Sequence, residues 1–388
     1  MMDAFAHMRP YCEEEVPDAL QLMLGALDWS AVLSPFIGEE ATESLLHSMG
    51  KITSVSEFQD LVSKTFIEKV LDKTASEVTF SFPESFDSCG ALFISNHRDI
   101  VLDPSLINLA LLSLGAETTE IGIGSNLLQT PWVEALVRLN KSFIVKRGGS
   151  LRDQLASSAE VAAYVRHVIG VESSSVWLAH KEGRAKDGDD RTSPALIRML
   201  MNGEDAGAWN ALRVHPVTLS YEWDPCDAMK VKELLVSEAN GGVYEKEPGE
   251  DERSMKQGLF GWKGGIHVAI GDPLVWKAGQ EEGRPHNYLA ELIDKRLHAA
   301  IRIWPSHHWA AKQLAEMDSK MTEDWPSVWN PEMISDESSK QCERRVKEVQ
   351  LALQGMPFAA EEIHRKWCEI AVRPLLNLQE LKTSQVFI

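Results

Sequence analysis

Cysteine is scarce and scattered in this chain: five residues, Cys12, Cys89, Cys226, Cys342 and Cys368, odd in number and without a Cys-x-x-Cys spacing. That pattern excludes a disulfide framework or a cysteine zinc site as an organising feature and suits reduced thiols. Long apolar runs are missing too. A spanning helix needs roughly 18 to 20 apolar residues in succession, and Leu106 to Ala116, among the best stretches, is interrupted by Asn108 and Ser113. An integral membrane protein is therefore not expected. The opening Met1-Met2-Asp3-Ala4-Phe5 has no basic cap leading into an apolar segment, so no signal peptide is expected and a cytoplasmic setting follows by default. Positive charge is in deficit, 39 Lys and Arg against 58 Asp and Glu, for a net charge of -19. Phosphate neutralisation needs a basic surplus, so this balance argues against generic nucleic-acid binding and against broad adhesion to anionic lipid. No internal repeat or low-complexity segment stands out.

What is present is an ordinary globular composition, 44% hydrophobic and 25% charged over 388 residues, enough for one large domain with additions or for two domains. From about Glu13 to Lys73 apolar residues recur every three or four positions, as in Leu20, Met23, Leu24 and Leu27, which predicts a helical N-terminal region over 1–75. The period then changes. Val78 to Phe82 alternates as a strand, and further strands are predicted at Ala91–Ser95, Glu120–Gly124, Ser142–Lys146, Ser174–Ala179, Val214–Tyr221 and Ile266–Ile270. Helices are predicted between them near Pro104–Leu114, Pro131–Leu139, Leu151–Val168 and Pro194–Met201. The alternation predicts an α/β domain over 76–305, a mostly parallel central sheet flanked by helices. A helical C-terminal region over 306–388 follows, with helices over Glu337–Leu353 and from Ala359 to about Val372, just before Pro374.

The most informative segment runs from Gly90 to Pro104, a short apolar strand entering Asn96-His97-Arg98-Asp99 with Asp103-Pro104 behind it. A βα junction sets side chains at the carboxyl end of a strand, where α/β enzymes hold their ligands. A carboxylate there can fix the imidazole tautomer that takes a proton from a substrate hydroxyl. Asp103-Pro104, like Thr130-Pro131 and Ser193-Pro194, also reads as a helix N-cap followed by proline in the first turn, so capping is the competing use of Asp103.

Four blocks taken together resemble the glycerophospholipid acyltransferase superfamily. Ser95-Asn96-His97-Arg98 through Asp103-Pro104 is similar to the family's His-x4-Asp motif, and Phe143-Ile144-Val145-Lys146-Arg147 to its Phe-Ile-x-Arg strand. Glu182-Gly183-Arg184 resembles the Glu-Gly-Thr-Arg block, and Val214 to Glu222 the apolar Pro-Val strand that closes the acyl site. A fifth likeness, Lys263 to Leu274, is similar to a late strand of the bacterial glycerol-3-phosphate enzymes. Together the blocks span roughly residues 76 to 305. Two departures stand out: five residues, not four, separate His97 from Asp103, and Glu182-Gly183-Arg184 lacks the residue between Gly and Arg. Either the loop bulges so that Asp103 still reaches His97, which the Asp-Pro pair favours, or Asp99 takes its place.

The resemblance implies acyl transfer from acyl-ACP or acyl-CoA to glycerol-3-phosphate or a lysophospholipid, with His97 and Asp103 catalytic; the alternatives are the same transfer to a non-phosphate acceptor, or a non-catalytic lipid-binding protein on the same fold. It implies a phosphate site among Arg98, Lys146, Arg147, Glu182, Gly183 and Arg184, and an acyl-site strand containing Pro216 and Val217. No metal or redox cofactor is implied, because the thioester supplies the driving force. The expected setting is cytoplasmic, peripheral at the inner face of the membrane, and without a nucleic-acid partner. Lys181 and Lys186 add cations to the same loops. Trp304, Trp309, Trp325 and Trp329 offer either a local membrane contact or, the favoured reading, core packing or an oligomer contact. His307-His308 reads as a packed or exposed pair rather than a metal site, and Glu13 to Glu15 and Glu245 to Arg253 as solvated faces.

Overall fold

The computed structural model describes residues 4–384 apart from 88, 129, 202, 204, 280–282 and 319–327, with 382–384 as backbone only. The N-terminal region is helical as predicted: α1 (Val16–Leu24), α2 (Trp29–Ile37), α3 (Glu39–Met49) and α4 (Val55–Phe58). A π-helical turn over Gln59–Lys64 carries α4 into α5 (Thr65–Thr74). Strand β1 (Ala75–Ser81) follows directly.

The central alternation is β2 (Leu92–Ser95), α6 (Leu102–Ser113), β3 (Glu120–Gly124), α7 (Pro131–Leu139), β4 (Ser142–Val145), α8 (Leu151–Gly170) and β5 (Val176–Ala179). It continues with α9 (Pro194–Leu200), α10 (Ala206–Asn210), β6 (His215–Tyr221), α11 (Asp227–Ala239), α12 (Glu250–Phe260), β7 (Gly264–Ile270) and α13 (Pro285–Ala300). The C-terminal helices are α14 (Pro305–Met317), α15 (Asp336–Ala352) and α16 (Ala360–Ser384).

The seven strands lie in the order β1-β7-β6-β2-β5-β3-β4. β6, β2, β5, β3 and β4 run parallel; β7 is antiparallel to β6 and carries β1 parallel beside it. This is the mostly parallel α/β sheet the sequence predicts. Leu92 to Ile94 are all fully buried, as expected of a central strand covered on both faces. Period-two alternation splits them: Leu92 and Ile94 join Val176, Leu178, Val165 and Ile293 on one face, while Phe93 joins Trp177, Leu106, Leu219 and Ile266 on the other.

The terminal regions pack onto this frame. Helices α1 to α4 form a core with Ala135 and Leu139 of α7. Trp309, Val346, Cys368 and Leu375 of the C-terminal helices share theirs with Trp223, Val231 and Leu235. Trp304 and Trp309 are buried and Trp329 donates to the carbonyl of His308, so these rings pack internally; Trp325 lies outside the described residues. His307 and His308 are buried, each accepting a backbone amide, from Trp304 and Asn330.

Three expectations need correction. Helix α6 begins at Leu102, so Asp103 sits in its first turn rather than capping it. Helix α16 does not stop before Pro374 but passes through it to Ser384; a proline lacks the N–H that would bond Ile370, and that carbonyl packs closely against Gly188 (φ 80°), where a Cβ would come within 2.8 Å. Glu245 to Arg253 is not wholly a solvated face, because Glu250 is buried against the Tyr244 hydroxyl at 2.7 Å and opens α12. No helix among the described residues is long and apolar enough to cross a membrane; Glu13–Leu24, which includes α1, and α2 pass together by length and composition but are bent by 86°.

Candidate active site

β2 ends at Ser95 between β5 and β6, and the chain leaves the sheet there as Asn96-His97-Arg98. His97 Nδ1 lies 2.8 Å from Asp103 Oδ2. The same oxygen accepts the backbone amides of Arg98 at 2.6 Å and Asp99 at 2.9 Å, while Oδ1 accepts the Tyr221 hydroxyl at 2.8 Å. Asp103 is fully buried, and these four donors replace the water its carboxylate has lost. Burial first, and then the Asp103 charge, push the Tyr221 hydroxyl well above its ordinary range, so it stays a donor. With Nδ1 held by Asp103, Nε2 is the imidazole atom left to exchange a proton with a substrate.

The extra loop residue is absorbed without losing this contact. Asp99 Oδ1 accepts the amides of Val101 at 2.9 Å and Leu102 at 2.7 Å, so Asp99 performs the helix-start bonding that the sequence assigned to Asp103 as the alternative to a dyad. Asp99 Oδ2 is buried with no hydrogen-bond partner among the described residues. It presses against Gly258 of α12, where a Cβ would come within 1.8 Å of it. Burial, then repulsion from Asp103, raise the Asp99 pKa to about 6. Between them the two carboxylates occupy the amides of residues 98, 99, 101 and 102, taking four candidate oxyanion donors near His97 out of contention.

The cations are distributed less simply. Arg147 lies two residues past the end of β4, and its side chain crosses the end of β3 at Gly124, where a Cβ would stand 3.3 Å from Arg147 Cγ. Its guanidinium pairs with Glu182 Oε2 at 2.9 Å, which brings the second and third sequence blocks together. Gly183 takes φ 75°, a backbone state suited to glycine, and turns the chain so that the Ala185 amide reaches the carbonyl of His97 at 2.9 Å. Arg184 bonds Ser254 Oγ and lies 3.6 Å from Asp251, both on α12. Arg98 points into the protein, pairing with Asp190 Oδ2 at 2.7 Å.

Lys146 lies just past β4, largely exposed and 3.7 Å from Glu160. Lys186 bonds Glu233, and Lys181 donates to the carbonyl of Asp189. Pro216 and Val217 lie buried in β6 opposite Ile94 and Ser95 of β2. β4 stands three strand spacings from β2, roughly 14 Å, so Arg147 lies past the outermost parallel strand and His97 past β2, one strand in from the other end of the parallel set.

Sequence reasoning missed Asp190, Ser254, Asp251 and Gly258 and assigned no role to Tyr221. Tyr221 was findable, since it closes a strand whose carboxyl end adjoins His97. The others come from a polar loop and a helix whose position no local pattern encodes.

Residues 77–204 match the family model for acyltransferases. That segment is similar to the acyltransferase family. The matched span contains His97, Asp103, Arg147, Glu182 to Arg184 and Asp190; Pro216, Val217 and Tyr221 lie beyond it. The acyltransferase reading of the motif blocks is thereby borne out over that segment. Among solved structures, it is similar to the 1-acyl-sn-glycerophosphate (LPA) acyltransferase PlsC from Thermotoga maritima at 11% identity, over 74% of this chain and 95% of that one, with a TM-score of 0.38. Comparison with curated proteins gives no match.

Proposed function

We propose that the acyltransferase domain moves a fatty acyl group from acyl-ACP or acyl-CoA to a hydroxyl of glycerol-3-phosphate or of a lysophospholipid such as lysophosphatidate, with His97 as the general base. The observation that carries this reading is the 2.8 Å contact between His97 Nδ1 and the buried Asp103 carboxylate within the matched domain. The acceptor hydroxyl gives its proton to Nε2 and attacks the thioester carbonyl. Asp103 steadies the imidazolium that forms, and collapse of the tetrahedral intermediate expels the thiolate, which takes up the proton. The thioester carries the driving force, so this reading calls for no metal or redox cofactor.

Arg147, at the rim and paired among the described residues with the exposed Glu182, is the cation best able to exchange its partner for an acceptor phosphate. Leu151 and Leu155, 73% and 60% exposed just after Arg147-Gly148-Gly149, give the same rim an apolar edge. That edge supports peripheral work at the cytoplasmic face of a membrane through local apolar contact, in keeping with the net charge of -19.

A non-phosphate acceptor is the second reading. It is favoured by the finding that Arg98, Lys146, Arg147, Arg184 and Lys186 each already lie against a carboxylate. The test follows thiol release from a long-chain acyl thioester with glycerol-3-phosphate, with lysophosphatidate and without acceptor. His97→Ala should lose about 10²- to 10⁴-fold in rate, and a folded His97→Ala protein with full activity would remove His97 from the base role. Arg147→Ala should raise KM for a phosphorylated acceptor with kcat nearly kept, whereas an unchanged KM would select the second reading.

A further inference from the structure

Asn96 and Arg98 flank His97 in sequence, and one buried carboxylate holds them both. Asp190 Oδ2 accepts Asn96 Nδ2 at 3.1 Å and Arg98 Nη2 at 2.7 Å. Asp190 is 3% exposed, and Arg98 is largely buried with it. Asn96 is also clasped to β6, its Nδ2 donating to the carbonyl of Leu219 at 2.9 Å and its Oδ1 accepting the Leu219 amide at 2.8 Å. The backbone around His97 is fixed in turn: Lys230 Nζ donates to the carbonyl of Arg98 at 3.1 Å, and the Ala185 amide to that of His97. His97 is therefore the middle residue of a segment anchored on both sides through a single side chain.

Asp190 is itself held from outside the matched domain. Arg373 of α16 reaches Asp189 Oδ2 at 2.9 Å, Glu380 of α16 pairs with Arg191, and Gly188 packs against the Ile370 carbonyl beside Pro374. His298 of α13 donates Nε2–H to the carbonyl of Asp190 at 2.8 Å. The helix that continues through Pro374 thus grips the loop on either side of Asp190.

We infer that Asp190 is a positioning residue for His97, holding Asn96 and Arg98 on either side of the imidazole, and that the C-terminal helix α16 keeps Asp190 in place. The inference rests on His97 being the base. It gives the C-terminal region a role in the reaction although none of that region's described residues bonds the His97–Asp103 pair: it limits the freedom of the base relative to the acceptor hydroxyl, so its loss falls on kcat rather than on substrate binding.

The test compares wild type, Asp190→Asn, Arg98→Gln, the double variant and His97→Ala in full-length protein, by thiol release at a temperature well below each unfolding midpoint. Asp190→Asn is expected to lower kcat about tenfold or more, with KM for the acyl thioester within about twofold of wild type. The double variant should be no slower than the worse single one, because both changes break the same brace. Should Asp190→Asn fail to fold because it strands a buried guanidinium, the double variant removes both charges and carries the test alone: low kcat with unchanged KM supports the brace.

Wild-type kcat in the folded variant, a loss carried by KM, or losses that multiply in the double variant would each overturn it. His97→Ala separates the two failures. Full activity there defeats the base reading and this inference together; an inactive His97→Ala beside a fully active Asp190→Asn defeats this inference alone.

Discussion

Replacing Asp103 by Asn removes a charge while leaving the shape of the site. Three N–H donors converge on Asp103 Oδ2 and one hydroxyl on Oδ1. An asparagine at this position must therefore turn its carbonyl oxygen toward His97 and the two amides, since an NH2 there would face three donors. Its NH2 then meets Tyr221, whose hydroxyl can rotate to accept, so the imidazole keeps its tautomer. What is lost is the negative charge beside an imidazolium that forms only during transfer. A hydrogen bond to a charged acceptor is worth about 1.5–3 kcal/mol against about 0.5–1.5 for a neutral one, and unit charges 4 Å apart attract by about 4 kcal/mol at an effective dielectric near 20. These overlap, so the transition state should lose about 3–5 kcal/mol, or roughly 10²- to 10⁴-fold in kcat. The assay is thiol release at saturating donor and acceptor, with circular dichroism to establish the fold. A folded Asp103→Asn protein within threefold of wild-type kcat would refute the argument that this carboxylate charge is used in the reaction.

Asp99 titrates in the opposite sense from a salt-bridged carboxylate. Its folded pKa of about 6 lies above the ordinary 3.8, so the folded state keeps a proton that the unfolded chain has released, and stability is lost as pH rises through 6. The full difference is about 3 kcal/mol; the stability advantage of Asp99→Asn over wild type in urea unfolding should therefore grow by up to that amount between pH 4 and pH 8, and a pH-independent difference would contradict it. Gly258→Ala sets a Cβ 1.8 Å from Asp99 Oδ2, so α12 or the His97 loop must move. A stability loss of about 1–3 kcal/mol is expected, together with reduced kcat; an unchanged unfolding midpoint would show that the contact relaxes freely.

The carboxyl edge of the sheet was legible because each block announces itself locally. An apolar run of strand length followed by Asn96-His97, or by Lys146-Arg147, sets polar groups at the end of a buried strand; β2 ends at Ser95 as predicted and β4 at Val145, one residue short of the predicted Lys146. Thr130 and Ser193 do stand at helix N-caps ahead of Pro131 and Pro194. The same rule failed at Asp103 because another carboxylate four residues earlier, Asp99, bonds the first amides of α6, a competition that depends on loop geometry. Pro374 was read as a helix stop; α16 continues because its core contacts, with Leu375 fully buried just past the proline, outweigh one missing hydrogen bond.

By itself the sequence determined the alternation of strand and helix, the likeness of one segment to the acyltransferase family and the residues offered at each strand end, since hydrophobic period and motif order are properties of neighbouring positions. Only the tertiary structure decided which of those residues are paired. Arg98 faces Asp190 and Arg184 faces α12, while Arg147 faces Glu182 at the rim. The partners come from segments up to 92 positions away, and the choice among many available carboxylates follows from the sheet order and from the burial that makes an unpaired charge costly.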